Sequence, residues 1–146
     1  MNARAVGRDD LGFLLAKATQ RWNELLSARL AAAGHGAIRP SYGSALVPLF
    51  EEDGLRMGEL ARRARLSKQT MTELVRRLEG EGLVERRPDP ADGRASLLFL
   101  TARSRELLPT AAAILDDLDR LVREALGDER AAELRTSLTA LLDLGR

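Results

Sequence analysis

Hydrophobic residues recur every three or four positions along most of the chain, which is the spacing that places them on one face of a helix. Breaker residues divide this pattern into segments, for example Gly34-His35-Gly36 after the first and Asp53-Gly54 after the second. Pro48 falls inside the second segment, where it is expected to bend the helix or to cost a hydrogen bond. The pattern predicts helices over residues 9–33, 39–52, 57–64, 67–79 and 102–126, with a last helix after Gly127-Asp128.

Two short runs in the second half of the chain do not follow the helical spacing. Residues 83–87 and 96–100 read as strands, and residues 88–95 between them contain two prolines and an Asp-Gly pair, which favour a turn. These runs predict an antiparallel hairpin that directly follows two short helices, and a hairpin in that place is called a wing. The predicted fold class is therefore mainly α with a small β wing, a winged helix-turn-helix lobe flanked by further helices.

The helix that begins at Ser67 has two chemically different sides. Its inward side carries hydrophobic residues at the spacing i, i+3, i+4 and i+7, namely Met71, Leu74, Val75 and Leu78. Its other side carries long and mostly basic polar residues, namely Lys68, Gln69, Thr72, Glu73, Arg76 and Arg77. Such side chains donate hydrogen bonds to base edges and phosphates. Together with the helical segment 57–64 and the turn at 65–67, this pattern predicts a helix-turn-helix whose second helix faces a DNA groove.

Composition excludes several classes of protein. The 146 residues fit one domain, with 45% hydrophobic and 31% charged residues. The absence of cysteine excludes disulfides and thiolate metal sites, and His35 as the only histidine excludes a multi-histidine metal site. No apolar run reaches the ~18 residues of a membrane span and residues 1–10 contain no signal core, so a cytoplasmic protein is expected. Without any catalytic motif, and with residues 51–53 interpreted as a polar helix end, we expect no enzyme and no cofactor.

The net charge of +1 conceals an uneven distribution. Residues 56–94 contain ten Lys and Arg against seven Asp and Glu, which leaves a net charge of +3 on the central third. The remainder contains thirteen against fifteen and has a net charge of −2. This excess favours a localised contact with a polyanion.

The helices at both ends of the chain carry long hydrophobic stripes. A small lobe cannot cover all of them, so part of each stripe is expected to face a second copy of the chain, the alternative being ordinary core helices. The predicted organisation is an N-terminal dimerisation helix in residues 1–36, a winged helix-turn-helix lobe in 37–101 and C-terminal dimerisation helices in 102–146, all in one structural unit.

Taken together, five motifs resemble the MarR family of bacterial transcription regulators. They are Gly58-Glu59-Leu60-Ala61, Leu66-Ser67-Lys68-Gln69-Thr70, residues 78–86, residues 89–95 and Leu100-Thr101. The resemblance implies a homodimer of winged helix-turn-helix lobes on a helical stalk that binds double-stranded DNA at an inverted repeat. It also implies a small-molecule effector that often releases the operator. The lack of cysteine separates this chain from family members that sense oxidants through a thiol.

The resemblance carries over to particular residues. Residues 67–77 match the recognition helix, Arg94 matches the wing-tip arginine, and Asp92 matches the acid that holds that arginine in place. Arg56-Met57 stands where the family often has Ser or Thr, so the cap of the helix 57–64 is either supplied by Asp53 or absent. The predicted DNA-binding residues are Ser67, Lys68, Gln69, Thr70, Thr72, Arg76, Arg77, Arg86, Asp92 and Arg94.

Each of these predictions has a plainer alternative. The polar side of the recognition helix is otherwise a solvated face, Arg94 a charge on a hairpin, and Asp92 a turn former. A ligand site would be lined by residues near the first two helices, which are Trp22, His35, Arg39, Tyr42 and Phe50. The alternative for the aromatic residues is core packing, and for His35 an ordinary loop position.

The function predicted from sequence is a sequence-specific DNA-binding transcriptional regulator, a homodimeric repressor on an inverted-repeat operator. Two other functions compete with it. One is a winged helix that serves as a protein-interaction module, and the other is a small-molecule binding protein that no longer binds an operator.

Overall fold

The computed structural model describes residues 4–146, so the first three residues of the predicted segment 1–36 lie outside the described range. The chain is mainly helical with a two-stranded antiparallel hairpin, which confirms the predicted fold class. A short 3-10 turn, Pro40–Tyr42, precedes the second helix. The elements are α1 (Leu11–Ala32), α2 (Gly43–Glu51), α3 (Met57–Ala64), α4 (Lys68–Gly80), β1 (Val84–Asp89), β2 (Asp92–Leu100), α5 (Ala102–Leu126) and α6 (Asp128–Leu141).

The described residues form two compact units. Residues 27–111 make up the first unit, here called the lobe, and residues 4–26 with 112–146 make up the terminal unit. The boundaries predicted at residues 36 and 101 remain predictions. No helix within residues 4–146 is both long enough and apolar enough to cross a membrane.

The core of the lobe is built from the inward faces of its helices and the hairpin. Met71, Val75 and Leu78 of α4 are fully buried, as the hydrophobic spacing predicts, and Leu74 packs against the same core at its edge. This arrangement fixes which side of α4 remains outside. The other buried members of the cluster are Tyr42, Ala45, Leu46, Leu49, Leu55, Leu60, Ala61, Leu83, Val84, Leu98 and Leu100.

The second helical segment differs from its prediction at the start. The chain makes a 3-10 turn at residues 40–42 before α2 begins at Gly43, because Pro40 fixes its own φ and suits the first turn of a helix. Pro48 lies inside α2 and is buried, and the helix continues to Glu51. A proline at this position costs α2 one backbone donor and does not end it.

The hairpin is longer than predicted. The strands pair from Val84 opposite Leu100 to Asp89 opposite Asp92, which leaves only Pro90 and Ala91 in the turn. The pairing register shifts between Pro88 and Asp89. Pro88 is tolerated at such an irregularity because a proline there costs no regular ladder bond.

A third backbone segment joins the hairpin. The N–H of Leu55 donates to the carbonyl of Leu98 at 3.2 Å, and the N–H of Leu98 donates to the carbonyl of Leu55 at 2.8 Å. A single bridging residue has no sequence periodicity, so the pattern gave no sign of it. The bridge attaches the base of the wing to the segment that enters α3.

Gly54, beside this bridge, cannot carry a side chain without strain. Its φ is +73°, and a Cβ on it would lie 2.9 Å from two atoms of the Phe99 ring. Gly54→Ala is therefore expected to lower the free energy of unfolding by about 1–3 kcal/mol. Urea unfolding measures this change. The matched control is Gly58→Ala on α3, where a Cβ meets nothing within 4 Å, and that variant should be neutral or slightly stabilised.

Hydrophobic side chains remain exposed in the terminal unit. Ile114 and Leu118 of α5 are buried, whereas α6 buries no residue. Arg135 of α6 pairs with Asp119 of α5 at 2.6 Å, and Arg123 pairs with the same carboxylate at 2.9 Å. The large hydrophobic residues left exposed in this unit are Val6, Leu11, Phe13, Leu14, Leu15, Leu115, Leu134, Leu138, Leu142 and Leu144.

Candidate nucleic-acid interface

A sharp turn and a side-chain cap set the start of α4. Arg65 ends α3 in the left-handed conformation at φ 56°, which is uncommon for a residue other than glycine. Ser67 then adopts an extended conformation and accepts a hydrogen bond from the Thr70 N–H at 3.1 Å. The predicted cap is thus present. The turn and the cap fix the angle between α3 and α4, and so the direction in which the outer side of α4 faces.

The cap should contribute measurably to stability. Ser67→Ala leaves the Thr70 N–H without its side-chain acceptor and is expected to lower the free energy of unfolding by about 1 kcal/mol. Thermal unfolding followed by circular dichroism measures the loss. The control is Ser41→Ala, which changes an exposed serine in the 3-10 turn. Equal stability of the two variants would contradict a capping role for Ser67.

The outer side of α4 is open to solvent. Lys68, Gln69, Glu73, Arg76 and Arg77 are all exposed. Ser67 and Thr70 are exposed too, and their hydroxyl groups bond to each other at 2.8 Å. The Thr72 hydroxyl donates to the Lys68 carbonyl of its own helix at 2.7 Å, so its donor is already occupied.

The cations of α4 and the wing tip differ from two arginines of α3. Arg62 and Arg63 of α3 both pair with Glu59, and their hydrogen bonds lower the pKa of Glu59 to about 2. By contrast, no ion pair within residues 4–146 holds the exposed side chains of Lys68, Arg76, Arg77 and Arg94. Exposed cations of this kind attract a polyanion, since no intramolecular carboxylate needs to be displaced.

The wing presents Arg94 next to its turn. Arg94 is exposed on β2, two residues after Asp92, and its backbone N–H donates to the Asp92 carboxylate at 3.0 Å. Asp92 thus holds the backbone of Arg94 and not its guanidinium. Arg86, at the base of the wing, pairs with Glu79 at 2.9 Å, so a phosphate would have to compete with that carboxylate. Arg87 lies over the Phe99 ring at 4.3 Å.

Sequence reasoning missed the most buried acidic residue of the wing. Asp89 is 7% exposed, and its Oδ2 accepts from Arg56 Nε at 2.9 Å and from Nη2 at 2.6 Å. The Ala91 N–H, followed by the Arg56 guanidinium, holds the pKa of Asp89 below its usual value. The only sequence signal was indirect, because Arg56 occupies a capping position that a short hydroxyl residue usually fills.

The two alternatives for the cap of α3 are now resolved. Arg56 is the N-cap residue and makes no side-chain cap hydrogen bond, so a cap from Asp53 is wrong. Asp53 Oδ1 instead accepts from the N–H groups of Gly54 and Leu100, at 3.2 and 2.9 Å. Its Oδ2 accepts from Arg105 Nη2 at 2.6 Å. Asp53 therefore ties the α2–α3 loop to the end of the hairpin and the start of α5.

The residues predicted to bind a ligand lie in different surroundings. Tyr42 is buried in the lobe core and donates to Glu81 Oε1 at 2.7 Å, and burial raises its pKa. Phe50 packs against that core at its edge, which matches the core-packing alternative for both aromatic residues. His35 is half-buried after α1, Arg39 is exposed, and Trp22 belongs to the terminal unit. The ligand site remains a prediction.

Metal binding finds no support in the described residues. Within residues 4–146, no group of three His, Cys, Asp or Glu side chains is arranged to hold an ion. The candidate interface on α4 and the wing consists mainly of hydrogen-bond donors and cationic side chains, with the carboxylates of Glu73 and Asp92 among them. Its chemistry suits recognition of phosphates and base edges.

The sequence and fold of this chain are similar to those of known proteins. A family model described as "MarR family" matches residues 40–96, which run from the 3-10 turn into β2. HTH-type transcriptional repressor Mb2911 of Mycobacterium bovis is 32% identical over 117 residues, which cover 71% of this chain and 84% of that protein. Transcriptional regulator HosA of Escherichia coli O111:H- is 33% identical over 81 residues, and the match spans 56% of this chain but only 59% of HosA.

A solved structure with bound DNA has the same fold. The transcriptional repressor CouR, bound to a 23-mer DNA duplex, superposes with a TM-score of 0.79 and 26% sequence identity. The superposition covers 97% of this chain and 99% of CouR.

Proposed function

The chain belongs to the MarR family of transcriptional regulators, and on that basis we propose that it is a homodimeric repressor that binds an inverted-repeat DNA operator. In this proposal each copy places α4 in a major groove and Arg94 of the wing in the neighbouring minor groove. Two-fold symmetry then separates the two half-sites by about one helical turn, ~10 bp.

The proposal rests on a set of exposed cations on α4 and the wing that have no ion pair within residues 4–146. Lys68, Arg76 and Arg77 lie on α4, and Arg94 lies on the wing that follows it. Gln69 and Arg76, near the centre of the α4 face, are proposed to read base edges. An arginine donates to two acceptors of guanine at once, and a glutamine donates one hydrogen bond to adenine and accepts another. Lys68 and Arg77 flank them and are proposed to bind phosphates, which sets the register of the protein on the duplex.

Homodimerisation is supported by the hydrophobic residues left exposed in the terminal unit. Leu134 and Leu138 are one turn apart on α6, and Leu11, Leu14 and Leu15 lie on α1. Exposed hydrophobic residues clustered on two helices are typical of an interface with a second subunit. The dimer is also what makes an inverted repeat the expected form of the operator.

Release by a small-molecule effector is the remaining part of the proposal, and it rests on family membership. A ligand that changed the spacing of the two lobes would lower operator affinity, because only one spacing fits both half-sites. A compound that saturates the protein and leaves operator affinity unchanged is excluded as the effector.

The test is a selection of bound sequences from a random pool of DNA duplexes, with purified protein at near-physiological salt. The proposal predicts enrichment of an inverted repeat, and the logarithm of the affinity should fall linearly with the logarithm of the salt concentration. A folded, dimeric protein that enriches no sequence would contradict it. That result would favour the alternative in which the exposed face of α4 docks a protein partner.

A further inference from the structure

The pair of Arg56 and Asp89 joins two parts of the lobe that lie 33 residues apart. Arg56 is the residue that opens α3, and Asp89 is the last residue of β1. Two nitrogens of the guanidinium donate to the same carboxylate oxygen, at 2.9 and 2.6 Å. Charge-assisted bonds of this kind to a buried acceptor hold their partners in a narrow range of positions.

The turn end of the wing has few other attachments. The bridge between Leu55 and Leu98 holds the base of the hairpin, and β1 and β2 are the two strands of the sheet in residues 4–146. A two-stranded hairpin is marginally stable in water without further contacts. Beyond the bridge, the Arg56 side chain provides the ion pair that attaches the turn end to the helical part of the lobe.

A short series of bonds connects this ion pair to the wing arginine. Asp89 Oδ1 accepts from the Ala91 N–H at 2.9 Å, which shapes the turn, and Asp89 pairs with Asp92 across it. Asp92 Oδ1 in turn accepts from the Arg94 N–H at 3.0 Å. On the other side, α3 packs against α4 through the shared core. Arg56 thus links the turn end of the wing to the helices of the lobe, in addition to the Arg86–Glu79 pair that joins β1 to α4.

We propose that Arg56 is a positioning residue for the wing, which holds Asp89 and thereby sets the distance between the Arg94 side chain and α4. The inference rests on the proposed function, because that distance matters when α4 and Arg94 occupy neighbouring grooves of one duplex. Loss of the ion pair leaves the contact residues in place but makes the wing adopt many positions, so that DNA binding must first order it.

A different role for Arg56 makes opposite predictions. Its side chain is 51% exposed, so a direct contact with a phosphate is the competing interpretation. In that case Asp89→Asn would free the guanidinium from a carboxylate and would leave DNA binding unchanged or stronger. In the positioning role, Asp89→Asn weakens binding as Arg56→Gln does, because either change breaks the same charged pair.

The first experiment needs no DNA. Amide hydrogen exchange, measured by NMR, compares the parent protein with Arg56→Gln. Positioning by Arg56 predicts faster exchange at the Ala91 and Arg94 N–H groups, with unchanged exchange at Val75 and Leu78 in the core of α4. Unchanged exchange in the wing would overturn the inference even if the protein proves to be a DNA-binding regulator.

The second experiment is a double-mutant cycle on the selected operator. Arg56→Gln should weaken binding about tenfold in the parent protein, but less than about twofold in an Arg94→Ala background, where the wing contact is already lost. Full additivity of the two substitutions would overturn the positioning role. The matched control is Arg62→Gln, an arginine of the same helix that pairs with Glu59 and not with the wing.

The two proposals fail in distinguishable ways. If the parent protein selects no operator, the proposed function fails, whereas the exchange experiment still decides whether Arg56 holds the wing. If the parent binds an inverted repeat and Arg56→Gln costs no more than Arg62→Gln, the positioning role fails alone.

Discussion

Replacing Arg94 by alanine should weaken binding to the selected operator by about 1–3 kcal/mol, or roughly 5–150-fold. The Arg94 side chain is exposed and has no ion pair within the described residues, so the substitution breaks no ion pair of the folded protein. What disappears is a cation that the proposal places in the minor groove, which attracts arginine most strongly where it is narrow and A·T-rich. Fluorescence anisotropy with labelled duplexes measures the loss.

The variant should also lose part of its preference for A·T-rich flanks. Anisotropy on operators with A·T-rich and G·C-rich flanks checks this directly. Arg130→Ala is the matched control, since it removes the same charge from an exposed position on α6. If Arg94→Ala bound every duplex as the parent does, the assignment of the wing to the minor groove would be wrong.

Leu138→Glu should convert the proposed dimer to a monomer and lower operator affinity by at least about 100-fold, because the two lobes then no longer bind as one bivalent unit. Leu138 is 43% exposed on α6, a helix that buries no residue within the chain. A glutamate there costs little in a monomer but places a charge inside a hydrophobic interface. Sedimentation velocity measures the change in mass.

The matched control for the dimer is Val47→Glu. Val47 is 47% exposed, similar to Leu138, but it lies on α2 in the lobe. This variant should remain a dimer and should keep its operator affinity within about twofold. A Leu138→Glu protein that sediments as a dimer would show that α6 does not form the subunit interface.

Local sequence signals predicted most of the helical part of the lobe. The spacing of Met71, Val75 and Leu78 identified the buried side of α4, and all three are fully buried. The Ser67 cap was also readable, because a cap depends on residues three positions apart. The exposed polar side of α4 followed from the same period, since a residue that points away from the core points to solvent.

Local sequence signals did not predict contacts between residues that are far apart in the sequence. The bridge between Leu55 and Leu98 involves one residue of a third segment, and a single residue has no period. The ion pair of Arg56 and Asp89 spans 33 positions, so its existence depends on how the hairpin packs beside α3. The strands also proved longer than their hydrophobic runs. Their pairing continues through polar residues as far as Asp89 and Asp92, and hydrophobic spacing does not mark such residues as strand.

The sequence pattern also could not show whether the aromatic residues of the candidate ligand site line a cavity. An aromatic residue near a helix start has the same sequence appearance whether it packs in a core or lines a cavity. Tyr42 proves to be a core residue whose hydroxyl bonds to Glu81, and Phe50 packs beside it. The fold decides between these roles through burial, which depends on elements far away in sequence.

Methylation interference on the selected operator tests the central claim most directly, since dimethyl sulfate marks guanine N7 in the major groove and adenine N3 in the minor groove. We expect two clusters of N7 interference about 10 bp apart, each flanked by N3 interference. With Arg94→Ala, the N3 signals should disappear while the N7 signals persist. Loss of the N7 signals with retention of the N3 signals, or interference without two-fold symmetry, would contradict the placement of α4 and the wing in neighbouring grooves.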